Sequence, residues 1–370
     1  MLFVGAGISK VFGVETMLGL YKAVKARLEK EGLDHALELI DSVERQLVRS
    51  GYEQREVDIE TVFSVLNGLL RPQRALKEAG PFASYVAASL AETPAMPSGT
   101  PVKETPISKL LPQADPEIED AIEWAKKVIS EECNKVNADK AGETYDKLFA
   151  IMPFGQSIDV YANGEKYELK NFAIATTNYD LAIERYFESK GKHLTDGFSL
   201  NEAQRQPIFT PHGIIGGVRI QLIKLHGSID RFIFEDGKIV QRREEPSSVS
   251  FHGEKVAGKL MVYPMDEKYV SQDPYATYFS ALRRELMEGD AHLSIGYSFR
   301  DQAINNAFLD AAKLNPKFLL IILNPEARSI PERVRLPAKK CLTIPWRIDE
   351  PIAFDTLKIL SSPPPQKILT

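Results

Sequence analysis

The sequence predicts an α/β fold, a parallel sheet with helices on both faces and a large helical insertion after the first strand. Two observations carry this. From Asn171 onward, short apolar runs alternate with amphipathic helical stretches, the pattern of buried strands covered by helices. One more apolar run, Leu2-Phe3-Val4, stands alone at the start and leads straight into Gly5, with residues 15–170 reading almost wholly as helix and loop. A chain rarely begins inside its first core strand, so either this strand is short or the natural start lies upstream.

Taken in order, the insertion opens with a helix over Glu15 to Gly32, where Leu18, Tyr21, Val24 and Leu28 recur every three or four residues. Asp34 is placed to cap a second helix carrying Leu37, Ile40, Val43 and Leu47. Asp58 is placed to cap a third with Val62, Phe63, Leu66 and Leu69. Residues 92–115, rich in Pro, Thr and Ser, read as a flexible loop, and Asp115-Pro116-Glu117 starts another helix. After Asn171 the strands fall at Phe172 to Ala175, Ile220 to Leu225, Leu260 to Tyr263, His292 to Gly296, Phe318 to Leu323 and Leu342 to Pro345. Helices over Leu181 to Ser189, Ala276 to Glu288 and Gln302 to Leu314 lie between them. The expected division is therefore 1–14 with 171–370 as the sheet domain, and 15–170 as the insertion.

Composition narrows the function. The 370 residues are 44% apolar and 26% charged, enough for a sizeable core in a soluble protein. A net charge of −5 argues against broad contact with nucleic-acid phosphates, although Arg242 and Arg243 leave room for a local basic patch. The two cysteines, Cys133 and Cys341, are far apart and form no C-x-x-C pair, which argues against a disulfide framework and a zinc ribbon. The longest apolar runs are strand-sized, so no membrane span is expected. No basic, then long apolar, leader opens the chain. The expected location is cytoplasmic.

Five strand ends collect polar or glycine residues. Gly5-Ala6-Gly7-Ile8-Ser9 is a strand-to-helix turn in which glycines would let the backbone approach a pyrophosphate. The dehydrogenase pattern G-x-G-x-x-G is broken by Lys10, and a tight turn with no ligand explains the glycines as well. Thr176-Thr177-Asn178-Tyr179-Asp180 follows the next strand, where ligands of open α/β sheets bind; capping of the following helix accounts for one of these polar residues but not for all. Lys224-Leu225-His226-Gly227-Ser228 follows a third. His212-Gly213 and His252-Gly253 repeat the dipeptide, but only His226 ends a convincing buried strand. An imidazole there suits a general base, since its unperturbed pKa is about 6.5, and a structural histidine bonded within the turn is the alternative. Ile295-Gly296-Tyr297-Ser298-Phe299, followed by Asp301 and Asn305-Asn306, suits close approach to a ribose, as does Leu323-Asn324-Pro325; each is also a common cap or turn.

In that order, the five motifs resemble the sirtuin superfamily, most of all the sirtuin-like effectors of prokaryotic antiviral defence, over residues 1–14 and about 171–345. The resemblance implies a Rossmann-like domain with NAD as substrate and an NAD glycohydrolase activity releasing nicotinamide and ADP-ribose or cyclic ADP-ribose. It implies that Gly5, Ala6, Gly7 and Ser9 cradle the pyrophosphate and its flanks. Asn178 would hold water or ribose at the reacting carbon, Asp180 would bind the nicotinamide carboxamide, His226 would be the general base, and Thr177 would be a further NAD-binding residue. Gly296 and Ser298 would line the adenosine half, with Asn324 on its ribose. Tyr179 stands where deacylating members carry an apolar residue. Those members also carry a four-cysteine zinc ribbon, which two cysteines cannot build, so no zinc is expected. Regulation by homo-oligomerisation or by a partner ATPase or nuclease is implied as well. Asn178 and His226 are expected in a pocket that solvent reaches. An NAD-dependent protein deacylase and a non-catalytic NAD or ADP-ribose sensor are the alternatives.

Overall fold

The computed structural model describes residues 1–54, 57–70, 107–201, 206–211, 220–242, 256–261 and 273–363. The chain divides into two compact units, Met1–Thr16 with Ser130–Thr370, and Met17–Ile129.

The strands described all lie in the first unit. They are β1 (Leu2–Val4), β2 (Ser157–Ala162), β3 (Glu165–Lys170), β4 (Ala173–Thr176), β5 (Phe198–Asn201), β6 (Gln206–Phe209), β7 (Gln221–Lys224), β8 (Gly227–Phe234), β9 (Ile239–Gln241), β10 (Val256–Met261), β11 (Ala291–Ile295), β12 (Leu319–Leu323) and β13 (Cys341–Ile344). Six of them form one parallel sheet in the order β13-β12-β11-β1-β4-β7. The chain thus starts in the middle, winds outward through β4 and β7, then returns to the other side of β1 for β11, β12 and β13. Counted along the sheet this is the 3-2-1-4-5-6 order of the Rossmann fold, with its switch point between β1 and β11. Val4 is level with both Thr176 and Ile295, so the residues following each strand meet at one carboxyl edge.

Burial on both faces explains why these strands read as apolar runs. Every residue of β12 is buried, as are those of β1, β4, β7 and β11. The helix Tyr275–Glu288 adds Tyr278, Leu282 and Leu286 to the core, and Gln302–Leu314 adds Ile304, Phe308 and Ala311, at the three- and four-residue spacing of one helical face. Each such Leu, Ile or Phe contributes about 1.5–3 kcal/mol of burial. Asp301 caps the second helix, its Oδ1 accepting from the amides of Ala303 (2.8 Å) and Ile304 (3.1 Å).

Two further sheets go beyond the parallel-sheet expectation. The antiparallel sheet β10-β8-β9-β6-β5 takes in Val256–Met261, so the strand expected at Leu260 to Tyr263 lies outside the parallel sheet; residues 262–263 are not among those described. The cause is Gly227, whose φ of +87° turns the chain from β7 straight into β8 instead of into a covering helix. β2 and β3 form a hairpin in a stretch expected to be helical, around Asn163 (φ 53°) and Gly164 (φ 78°).

The second unit contains the helices Met17–Lys30, Asp34–Arg49 and Ile59–Leu70, and most of Ile107–Cys133. Leu20, Val24, Leu28, Ile40, Val43, Val62, Phe63 and Leu66 are buried in it. Asp58 caps its helix as expected, accepting from the Thr61 amide at 3.0 Å. Asp34 instead lies in the first turn, with Leu33 at the cap position. The loop expected over 92–115 falls mostly outside the described residues, and from Ile107 the chain is helical. No helix among the described residues is long and apolar enough to cross a membrane.

Candidate active site

The glycine turn is packed against the chain itself. A side chain on Gly5 would bring Cβ within 2.5 Å of the Tyr297 Cα, and one on Gly7 within 2.8 Å of the Gly296 Cα. Gly296 has φ +65°, and a Cβ there would stand 2.7 Å from the Ile8 nitrogen. Amides are committed too, Gly5 N–H donating to the Ile295 carbonyl (2.9 Å) and Gly7 N–H to that of Gly296 (2.8 Å). The three glycines therefore permit a backbone-on-backbone contact across the switch point, before any ligand is considered.

One residue turn further, a polar cluster ties β1 to β4. Ser9 Oγ donates to Asp180 Oδ2 at 2.6 Å and accepts from Asn178 Nδ2 at 2.8 Å, joining residues 171 and 169 positions apart. Asn178 Nδ2 also donates to the Gly5 carbonyl at 3.1 Å. Asp180 Oδ1 accepts the Ala182 amide at 2.9 Å, at the start of the helix Ala182–Ser189. Among the described residues Asn178 Oδ1 is buried with no hydrogen-bond partner. A buried acceptor left so costs about 1–3 kcal/mol, and a water or substrate hydroxyl would relieve it. Thr177 follows Thr176 directly, its amide reaching the Val4 carbonyl at 3.4 Å.

On the neighbouring strand end, Lys224 is buried and structural. Its Nζ donates to the Asp180 carbonyl at 2.6 Å and to Glu184 Oε1 at 2.8 Å, bracing the Asn178–Asp180 turn from behind. Burial raises the Glu184 carboxyl above its ordinary range, opposed by Lys224. Gly227 is obligatory, since a Cβ would lie 2.0 Å from the Leu260 carbonyl oxygen. His226 Nε2 lies 3.0 Å from Asp301 Oδ2, linking β7 to the segment after β11 across 75 residues. Tyr179 is also buried, and its carbonyl accepts from Ile229 N–H at 3.1 Å.

The far side of the edge is held by the chain's own bonds. Asn324 Nδ2 donates to the Tyr297 carbonyl at 3.0 Å and its Oδ1 accepts the Glu326 amide at 2.8 Å. Arg333 donates to the Ser298 carbonyl. Phe299, buried at φ 54°, has its carbonyl held by Asn305 Nδ2 at 2.9 Å.

The structure thus joins Gly5, Ser9, Asn178 and Asp180 in one cluster, sets Gly7 against Gly296, and ties His226 to Asp301. Asn178 and His226, expected in a pocket that solvent reaches, are buried, with 6% and 3% of their surfaces exposed. The cause is the mutual hydrogen bonding of these polar groups together with the tight glycine contact. His212 and His252 lie outside the described residues. Sequence reading passed over Asp301 and Lys224 as working residues. Spacing gave no hint of the first pairing; the second was signalled only by a lysine at the end of a buried strand.

Fold and site define a doubly wound α/β protein with a polar centre at the carboxyl edge of its sheet. Residues 173–343 match the family model of the SIR2-like domain. No curated protein matches the chain. Among solved structures, it is similar to a triple-substituted Sir2 homologue in complex with 2′-O-acetyl ADP ribose, at 13% identity over 97% of this chain and 89% of that one, with a TM-score of 0.45. It is also similar to a Sir2 homologue–NAD complex, at 14% identity over 98% and 87% of the two chains, with a TM-score of 0.43.

Proposed function

We propose that this chain binds NAD at the carboxyl edge of the parallel sheet and hydrolyses its nicotinamide–ribose bond, releasing nicotinamide and ADP-ribose or the cyclic form. The observation that carries the reading is the cluster of Ser9, Asn178 and Asp180 in the segments that follow β1 and β4, with His226 at the end of the neighbouring strand β7. Agreement of the SIR2-like family model with the segment containing four of the five motifs supports it.

Cleavage builds positive charge on the ribose as nicotinamide leaves. In this reading the chain's part is electrostatic and geometric. Asp180 holds the carboxamide, with Thr177 beside it. Asn178 offers its buried Oδ1 to the attacking water or a ribose hydroxyl, and His226 removes the proton. Gly5, Ala6, Gly7 and Ser9 border the pyrophosphate, Gly296 and Ser298 the adenosine half, and Asn324 the second ribose through a remaining lone pair on Oδ1. No metal takes part. Cys133 and Cys341, two cysteines far apart in the chain, cannot supply the four ligands of a zinc ribbon.

An enzyme of this kind would deplete cellular NAD and needs to be held off. The burial of Asn178 and His226 fits a resting site that opens on activation, and the proposal extends to an antiviral effector governed by its own oligomerisation or by a partner ATPase or nuclease. The test is to incubate the purified chain with NAD, with and without an acyl-lysine peptide, and to measure free nicotinamide. Release without peptide supports the glycohydrolase. Release only with peptide supports the deacylase, and binding without release supports the sensor.

A further inference from the structure

We propose that Asp301 is the positioning residue of His226, fixing the imidazole tautomer that keeps the basic lone pair on Nδ1. The proposal rests on the reading of His226 as general base. Both side chains are almost wholly buried, 4% and 5% exposed, with Nε2 and Oδ2 3.0 Å apart. A carboxylate only accepts hydrogen bonds, so the proton between them sits on Nε2, and the tautomer that can act as a base is the one with its lone pair on Nδ1. The carboxylate cannot swing away, because its other oxygen caps the helix Gln302–Leu314 through the amides of Ala303 and Ile304. Capping alone does not require aspartate, since asparagine or serine caps a helix equally well. What the carboxylate adds is a second acceptor, aimed at the ring.

This geometry makes Asp301→Asn a selective test. The cap needs an oxygen facing the helix amides, so the variant's NH₂ must face Nε2. A donor then meets a donor, and the ring relieves the conflict only by moving its proton to Nδ1. Imidazole ¹⁵N NMR of histidine-labelled protein, with the His226 signals assigned by comparison with His226→Gln, reads this directly. The expected result is an Nε2–H ring in the wild type and an Nδ1–H ring in Asp301→Asn, with thermal stability little changed. Nicotinamide release from NAD should fall in kcat by about 10²–10⁴, the loss typical of a base held in the wrong tautomer, with KM little altered. An unchanged tautomer in the variant, or turnover equal to the wild type, overturns the proposal. If the wild type releases no nicotinamide, the glycohydrolase reading alone falls, and the tautomer comparison still decides the positioning role.

Discussion

Replacing Gly7 or Gly296 by alanine separates two explanations of the glycine turn. A Cβ on Gly7 would lie 2.8 Å from both the Cα and the carbonyl oxygen of Gly296. Ordinary carbon contacts are about 3.5–4.0 Å, so the two segments must part by roughly 1 Å, and both are backbone, which cannot rotate aside. Overpacking of this kind costs about 1–3 kcal/mol. Gly296→Ala meets the same contact from the other side, at 2.7 Å from the Ile8 nitrogen, and adds the left-handed conformation at φ +65°. That conformation costs a non-glycine residue a further 1–2 kcal/mol or so. Gly7→Ala should therefore lose about 1–3 kcal/mol and Gly296→Ala about 2–5 kcal/mol, measured by urea unfolding followed by circular dichroism. If Gly7→Ala is as stable as the wild type, or is the costlier of the two, the packing argument is wrong and the glycines answer to a ligand alone.

Three further outcomes follow from the same geometry. Lys224→Met strands Glu184 and the Asp180 carbonyl in the core and should cost about 3–5 kcal/mol, as losing one partner of a buried pair does; a loss under about 1 kcal/mol in urea unfolding contradicts it. Burial holds the His292 imidazole pKa well below its ordinary value, so the unfolded chain takes up a proton first as pH falls. Its contribution is thus complete above about pH 6.5 and lost below, at up to about 1.4 kcal/mol per pH unit, and His292→Leu should flatten that acid limb of a stability–pH curve. Elemental analysis of active protein should find no stoichiometric zinc; finding it would revive the deacylase reading.

Much of this molecule was legible in its sequence because parallel strands are buried on both faces. Leu319–Leu323 and Ala173–Thr176 announce themselves as apolar runs, and the polar residues after them mark the carboxyl edge. The antiparallel parts were less visible, although their turn signals were present. Asn163-Gly164 between Val160 and Tyr167, and Asp236-Gly237 between β8 and β9, are the dipeptides that tight hairpins favour; the first was masked by the charged residues of β2 and β3, the second by a β9 only three residues long. Within the site, residue types were readable and pairings were not. Nothing in the chain indicates that Asp301 faces His226, or that Gly7 rests on Gly296, because such contacts depend on how the strands are ordered. Burial of Asn178 was missed for the same reason: a polar residue at a strand end reads as exposed until Ser9 and Gly5 are brought beside it.

The central claim, that NAD is cleaved at the carboxyl edge by Asn178 and His226, is tested most directly by nicotinamide release from NAD by Asn178→Ala and His226→Ala beside His212→Ala. Thermal unfolding of each variant confirms that a fold remains to be assayed. The account predicts a loss of about 10²–10⁴ for His226→Ala and a comparable loss for Asn178→Ala, with His212→Ala close to the wild type. Full turnover by His226→Ala, or turnover abolished by His212→Ala alone, would contradict it.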